Sequence, residues 1–319
     1  MNVKQARHAI VPVVLVILDA IVLILPDRVQ RIEGIWILSW AAWVTMLAVA
    51  IIDLANNKHN QPGFLWINMC IMINSFMLMI ACFSSDYFEF TYVWNHSSSD
   101  LPALYKVIAI WAGDSGSFIL WMLMNAIFIF FYRWKINPHP DDVARVSIAT
   151  CTAITIVFLV IYAIMDPFEI QWSFVPGGSG LSPSLQSPFM AWHPIFVFLS
   201  YAVFVIPFSV TIARMVKPRC TLVDPYQASF FTASLKTGWL VLTLGIGSGV
   251  IWAKATMGWG GYWTWDPVET VSLVPWFLCT AYFHVASFPK EKNGITLMNL
   301  LLIFTTILFL SLLVRGGWF

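Results

Sequence analysis

Charge is what this sequence has least of. Only 10% of its 319 residues are Asp, Glu, Lys or Arg, where soluble domains carry about 25%. A chain this poor in charge cannot coat a folded surface with it, which argues against a water-soluble globular protein. The net charge is +1, so no basic excess exists to neutralise a phosphate backbone, and nucleic acid is not an expected partner. Cysteine is sparse too. Cys70, Cys82, Cys151, Cys220 and Cys279 are scattered, none forms C-x-x-C, and most sit in or beside apolar runs. They read as small core residues rather than as a disulfide framework or a metal site. Period-2 alternation is also missing, which removes strands from consideration. No internal repeat or low-complexity tract stands out.

What is present is apolar length. Apolar residues make up 59% of the chain, and a helix needs about 20 of them in succession to cross a bilayer. About nine such runs lie near 9–25, 35–54, 64–83, 116–132, 145–164, 194–214, 237–254, 268–287 and 296–314. The expected fold is all-α, a polytopic membrane helical bundle of about nine transmembrane helices. The first run follows Lys4 and Arg7, and no small-residue cleavage site precedes Pro26-Asp27-Arg28, so it reads as a retained helix rather than a signal peptide. The division is an N-terminal transmembrane helix over 1–30 and a membrane domain over 31–319. Basic residues set the orientation. With the N-terminus inside, Arg28, Arg31, Lys106, Lys254 and Arg315 fall outside and the rest of the 17 Lys and Arg fall inside. The inner connections are then short and basic. Three outer segments, 84–115, 166–193 and 255–267, are long or rich in aromatics, Gly and Pro, and the workplace is expected on that face.

The last of these contains GWGGYWTWDPVE, Gly258 to Glu269, with Trp259, Tyr262, Trp263 and Trp265 in close succession. Asp266, Pro267 and Glu269 have the pattern of a helix start: cap, first helical residue, and acid three positions on. That role can account for both acids. The rings fit two readings. Trp and Tyr gather at membrane interfaces as anchors. An anchor belt, however, has no need of Gly258, Gly260 and Gly261 between the rings. Glycine lets backbone approach a ligand closely, and flat rings, indole donors and a helix start suit a planar, partly anionic ligand such as haem.

Six histidines are candidate ligands. His8, His59 and His139 lie among polar residues at inner ends and read as solvated. His96, in VWNHSSSD, reads as an ordinary residue of an outer segment. His193, in FMAWHPIF, stands where a Gly/Pro/Ser-rich segment enters a helix on the same side as the Trp loop. It suits an axial haem ligand, or equally an interfacial or capping histidine. His284 lies within an apolar helix, where an ionisable side chain is a functional candidate by default; the alternative is a snorkelling residue near Lys290. Its separation from Asp266 along a helix is about 27 Å at about 1.5 Å per residue. It cannot share a metal with the loop, so two ligating histidines would mean two haems.

These residues carry a resemblance. GWGGYWTWDPVE resembles the tryptophan-rich WWD signature of haem-handling membrane proteins. FTYVWNHSSSDLPALYKVIAIWAGDSGSFILW (90–121), LSPSLQSPFMAWHPIFVFLSY (181–201) and LLVRGGWF (312–319) narrow it to the CcmF-type cytochrome c haem lyases. The resemblance implies a subunit that holds haem at the outer membrane face while the thiols of an apocytochrome c C-x-x-C-H segment add across the haem vinyl groups. It implies that His193 is the outer axial ligand and that Trp259, Trp263, Trp265 and Asp266 cradle the ring. It further implies that His284 ligates an embedded haem b shared with a partner chain. Implied partners are a CcmE-like haem chaperone, a CcmH-like thiol component, apocytochrome c, lipid, and the C-terminal half of CcmF on another polypeptide. The membrane would be a prokaryotic plasma membrane or the mitochondrial inner membrane.

The sequence departs from the family pattern at three places. Full members are about twice as long, and the family's second outer histidine and second b-haem ligand are not in this sequence, which the resemblance reads first as a split protein and second as degeneration. Asp114-Ser115 stands where the family usually has His-Glu. Residues 1–30 look like an extra helix. No cysteine of the chain lies in an outer loop, so the reacting thiols are expected from the substrate, and Lys254 is a candidate partner for a propionate. Two other readings stay open: a haem exporter or transporter of the CcmC or CcsA kind, which shares the Trp loop, and a non-catalytic structural subunit.

Overall fold

The computed structural model describes residues 3–56, 63–136, 141–172, 176–217, 225–257, 262–263, 265, 267–285 and 293–316. These form eleven α-helices: α1 Val3–Leu23, α2 Arg28–Asn56, α3 Gly63–Ser84, α4 Thr91–His96, α5 Ala103–Ala109, α6 Asp114–Ile136, α7 Asp142–Met165, α8 Pro188–Val216, α9 Pro225–Met257, α10 Pro267–Val285 and α11 Asn293–Arg315. Among the described residues the only β pairing is a single bridge, Phe90 with Ile170. The protein is an integral membrane helical bundle. Among the described residues eight helices, α2, α3 and α6 to α11, are long and apolar enough to cross a membrane, and the first apolar run forms a shorter stretch, Ile10–Leu23 in α1.

Two helices start well before their apolar runs. In α2 the Asp27 carboxylate accepts the Val29 N–H at 3.1 Å, which starts the helix in polar sequence. In α9 the first turns carry hydroxyl residues that bond back to the helix: Thr232 to the Ala228 carbonyl at 3.0 Å and Ser234 to that of Phe230 at 2.7 Å. Such back-bonding lets polar residues ride in an apolar helix with their hydroxyls satisfied.

The chain divides into two units, Met1–Phe130 with Thr152–Gln186, and Phe131–Cys151 with Ser187–Phe319. In the first unit α1, α2 and α3 pack against one another. A Cβ on Gly34 would sit 2.7 Å from Val22 Cγ1, so α1 and α2 approach at a distance that only glycine permits. Asn74 of α3 donates to the Asp19 carboxylate of α1. Trp43 of α2 donates to the Leu159 carbonyl of α7 at 2.7 Å, and Phe158 meets Phe118 and Trp121 of α6 at 5.3 and 4.9 Å between ring centroids.

The segments expected as outer loops in this unit are stitched together. The Thr91 N–H donates to the Glu169 carbonyl and that of Gln171 to Glu89, at 2.9 and 2.8 Å; the N–H groups of Ser179 and Gly180 reach the carbonyls of Trp94 and Ser97 at 2.8 and 3.0 Å. Gly178 has φ +74°, and a Cβ there would lie 2.1 Å from the Ser97 carbonyl oxygen. Ion pairs join the same region to the helices: Arg28 with Glu89 at 2.5 Å and Lys106 with Asp86 at 2.6 Å.

In the second unit α8 packs along α9, α10 against α9 and α11, and α11 against α8. Tyr132 and Ser147, on the parts of α6 and α7 that belong to this unit, share a hydrogen bond of 2.7 Å, and Gln227 of α9 donates to the Tyr132 hydroxyl at 3.1 Å.

Candidate functional site

The site is built on the close approach of α8 and α9. Ser187 caps α8, accepting the Phe189 N–H at 3.4 Å, and Pro188 fills the first position, where a missing N–H costs nothing. His193 therefore stands in the second turn. Its neighbours on α9 are glycines. A Cβ on Gly249 would lie 2.6 Å from His193 Cε1 and 2.8 Å from Nδ1; one on Gly245 would lie 2.9 Å from Val197, and one on Gly238 2.7 Å from Phe204. The stripe Gly238, Gly245, Gly249 is a small-residue face of the kind that lets membrane helices come together.

That proximity fixes the imidazole. His193 Nδ1 is 2.8 Å from the Gly245 carbonyl oxygen. A carbonyl only accepts, so Nδ1 carries the proton and, in the neutral ring, Nε2 keeps its lone pair. The Trp252 ring lies 5.7 Å from that of His193. Gly245, Gly249 and Trp252 were not among the residues expected from sequence. The signal was available as Gly-x-x-x-Gly at 245 and 249, but it does not say which helix the glycines meet.

From Trp252 the helix rises about 8 Å to its end at Met257, at about 1.5 Å per residue, and the Trp-rich loop begins there. His193 and the loop thus occupy the same end of the second unit. Trp263 and Trp265 are described; their rings meet edge to face at 5.8 Å. Trp265 is 69% exposed and Tyr262 56%, while the Trp263 indole N–H is buried with no hydrogen-bond partner among the described residues. Trp265 has φ +60°, a left-handed backbone that a bulky side chain rarely adopts. Trp259 and Asp266 lie outside the described residues. Lys254 is engaged within the loop: its ammonium bonds the Tyr262 hydroxyl and sits 3.8 Å from the centroid of that ring. Arg315, which ends α11, lies over Phe198 of α8 at 5.9 Å.

His284 is in the last turn of α10 and exposed. The helix that separates it from the loop is held by reciprocal bonds to α9. Trp239 donates to Thr280 at 2.9 Å and Trp276 to Thr243 at 2.8 Å, and the two indoles stack at 5.9 Å. The structure therefore brings His193, Trp263 and Trp265 to one end of the second unit and leaves His284 at the far end of α10.

His96 has a structural setting. Its Nδ1–H donates to the Tyr92 carbonyl at 2.9 Å, and its ring lies on that of Tyr92 at 4.4 Å. Burial pushes its pKa below the ordinary 6.5, against smaller upward pulls from that hydrogen bond and from Asp114. The Tyr92 hydroxyl donates to the Ile110 carbonyl at 2.9 Å and accepts the Gly113 N–H at 3.0 Å. A Cβ on Gly116 would lie 1.6 Å from the Ile110 carbonyl oxygen. Tyr92 and these glycines thus set the entry into α6, where Asp114 and Ser115 form the first turn.

Residues 111–317 match the cytochrome c assembly protein family, which is more than half of the chain. The chain belongs to that family. It is 33% identical over 259 residues to the cytochrome c-type biogenesis protein CcmF of Escherichia coli K12, covering 80% of this chain and 40% of the relative. It is 32% identical over 282 residues to the cytochrome c-type biogenesis protein ccl1 of Rhodobacter capsulatus, covering 85% and 43%. A solved structure titled cytochrome c heme lyase CcmF has a similar fold, with a TM-score of 0.69 and 22% identity over 89% of this chain and 49% of its own. The chain thus spans less than half the length of these relatives.

Proposed function

We propose that this chain is a haem-holding subunit of a cytochrome c haem lyase, in which His193 meets the iron and the Trp loop lies against the macrocycle at the outer membrane face. The observation that carries this is the lock on His193. A ring nitrogen that donates to a backbone carbonyl fixes the tautomer and aim of the other nitrogen, as haem- and metal-binding histidines require. The remaining residues fit the same ligand. The Trp263 N–H, which has no partner among the described residues, is a donor for a propionate, and the exposed faces of Trp265 and Tyr262 offer stacking area. Lys254 lies beside them, and its bond to Tyr262 makes it a positioning residue for that ring as well as a positive charge for a carboxylate.

When bound, haem supplies the vinyl groups, and each thioether forms by net addition of a substrate S–H across one C=C bond, with no net change of oxidation state. The residues of this chain do not supply a nucleophile; they bind, orient and shield. Holding two reactants in register accounts for a large share of such a barrier. The thiols belong to an apocytochrome c C-x-x-C-H segment, and delivery of haem and reduction of those thiols fall to a CcmE-like chaperone and a CcmH-like component. His284, at the other end of α10, is proposed to ligate a separate embedded haem b.

The test is haemin titration of the full chain in lipid nanodiscs, read by the Soret band. His193→Gly should abolish the spectral shift of the outer site, and added imidazole should restore it. An unchanged Soret titration in His193→Gly overturns the assignment. His284→Ala should leave this site intact and remove the b-type spectrum of the assembled complex. Co-purification with ATP-binding transporter subunits in place of apocytochrome c would favour the exporter reading.

A further inference from the structure

A cavity of about 20 Å³ lies in the first unit between α2, α3, α6 and α7. Its walls are mostly apolar, with Met46, Met72 and Met122 contributing three thioethers, but Asn68, Asn125 and Thr155 also face it. The two asparagines are 3% and 4% exposed. Neither side-chain oxygen nor either side-chain nitrogen of the pair has a hydrogen-bond partner among the described residues. Asn125 stands near the middle of α6, about 17 Å from either end at about 1.5 Å per residue, far from the water at both helix ends. Leaving a buried amide unpaired costs about 1–3 kcal/mol, and in hydrocarbon the cost is not relieved by solvent.

Three kinds of occupant can be weighed. An apolar atom or small apolar molecule would leave every amide group unpaired. A cation would meet two carbonyl oxygens and no charge, since no acidic or basic side chain lines the cavity, and an uncompensated charge at this depth is expensive. Water meets each requirement. It donates to carbonyl oxygens and accepts from N–H groups, and each asparagine offers both. Its need is about 10–15 Å³ of such space and two to four polar partners. The volume fits one molecule and little else.

We infer that this cavity is an internal water site, in which one water bridges Asn68 of α3 and Asn125 of α6. The bridge is a polar joint within the membrane span. It fixes the register of α3 against α6, because sliding either helix by a residue would take one amide away from the water.

X-ray radiolysis of the full chain in lipid nanodiscs tests this directly. Bound waters yield hydroxyl radicals in place, and a thioether beside one is oxidised to sulfoxide. Met46, Met72 or Met122 should be oxidised despite burial. Met79, also in α3, fully buried and not a wall of the cavity, supplies the background. In Asn68→Leu/Asn125→Leu the cavity methionines should fall to the Met79 level. Cavity methionines no more oxidised than Met79 in the native chain would overturn the inference, and that readout does not depend on whether the double variant folds. Oxidation that persists undiminished in a folded double variant would overturn it as well.

Discussion

Replacing Gly249 with alanine probes the contact on which the site geometry rests. The added methyl would lie 2.6 Å from His193 Cε1, a separation that carbon atoms do not tolerate. The imidazole cannot swing aside freely, because Nδ1 is tied to the Gly245 carbonyl at 2.8 Å. Overpacking of this kind costs about 1–3 kcal/mol. If the ring turns away instead, the buried Nδ1–H loses its acceptor, for about 1–3 kcal/mol more. Against this, alanine gains about 1 kcal/mol over glycine in helix propensity. Gly247→Ala is the internal control. It lies two residues away on α9, would gain the same propensity, and its Cβ would meet nothing within 4 Å. The difference between the two variants therefore isolates the contact. Thermal unfolding in nanodiscs, followed by tryptophan fluorescence, should place Gly249→Ala below Gly247→Ala by several degrees, since a kcal/mol is worth roughly 2–4 °C in a chain of this order of size. Equal melting temperatures for the two would refute the geometry, whatever the ligand proves to be.

The same reasoning extends to other positions. Thr280→Val removes the acceptor of Trp239 while keeping shape, and should cost about 1–3 kcal/mol; Thr243→Val should do the same to Trp276, with both read as lowered melting temperature. Gly116→Ala should be among the most disruptive single changes, because its methyl would meet the Ile110 carbonyl oxygen at 1.6 Å; an expression level and melting profile equal to the native chain would contradict the turn. His96 predicts a pH dependence. Its folded pKa lies below the unfolded value of 6.5, so the unfolded state binds more protons as pH falls; stability should be fullest above 6.5 and decline as pH drops through the depressed folded value. His96→Gln should flatten that decline, and an unaltered pH profile in the variant would assign it elsewhere.

Much of this molecule was legible as sequence because a bilayer restricts the options. Apolar runs of sufficient length become helices, and two of them began early: α2 through the Asp27 cap, and α9 across polar residues whose hydroxyls bond back to the helix, neither of which hydropathy registers. His193 and the Trp loop could be placed at one end by counting helices between them. The partners of His193 could not. That Gly245 and Gly249 face α8, and that Gly247 between them faces away, depends on helix rotation, which composition leaves open. The same holds for the outer segments of the first unit. Gly- and Ser-rich stretches near 97 and 178 read as loops separately, and only tertiary pairing shows that Gly178 is where it is because the Ser97 carbonyl passes 2.1 Å from its absent Cβ.

Trp265 presents a contradiction that bears on what the loop is for. Its φ of +60° holds a bulky residue in a conformation that costs about 1–3 kcal/mol, and such a conformation persists only where something over-determines it. Among the described residues the compensation is an edge-to-face contact with Trp263 at 5.8 Å, worth about 0.5–1.5 kcal/mol. Burial adds little, because the residue is 69% exposed. An interfacial anchor needs no such backbone; a tryptophan on an ordinary turn would serve. A ring displayed at a conformational cost, beside an indole N–H that has no acceptor among the described residues, is better accounted for by a partner that supplies both stacking area and an acceptor. The proposed propionate-bearing macrocycle would supply both at once, whereas a lipid headgroup would supply an acceptor but no flat face to stack on. That asymmetry favours a ligand over an anchor, independently of the histidine.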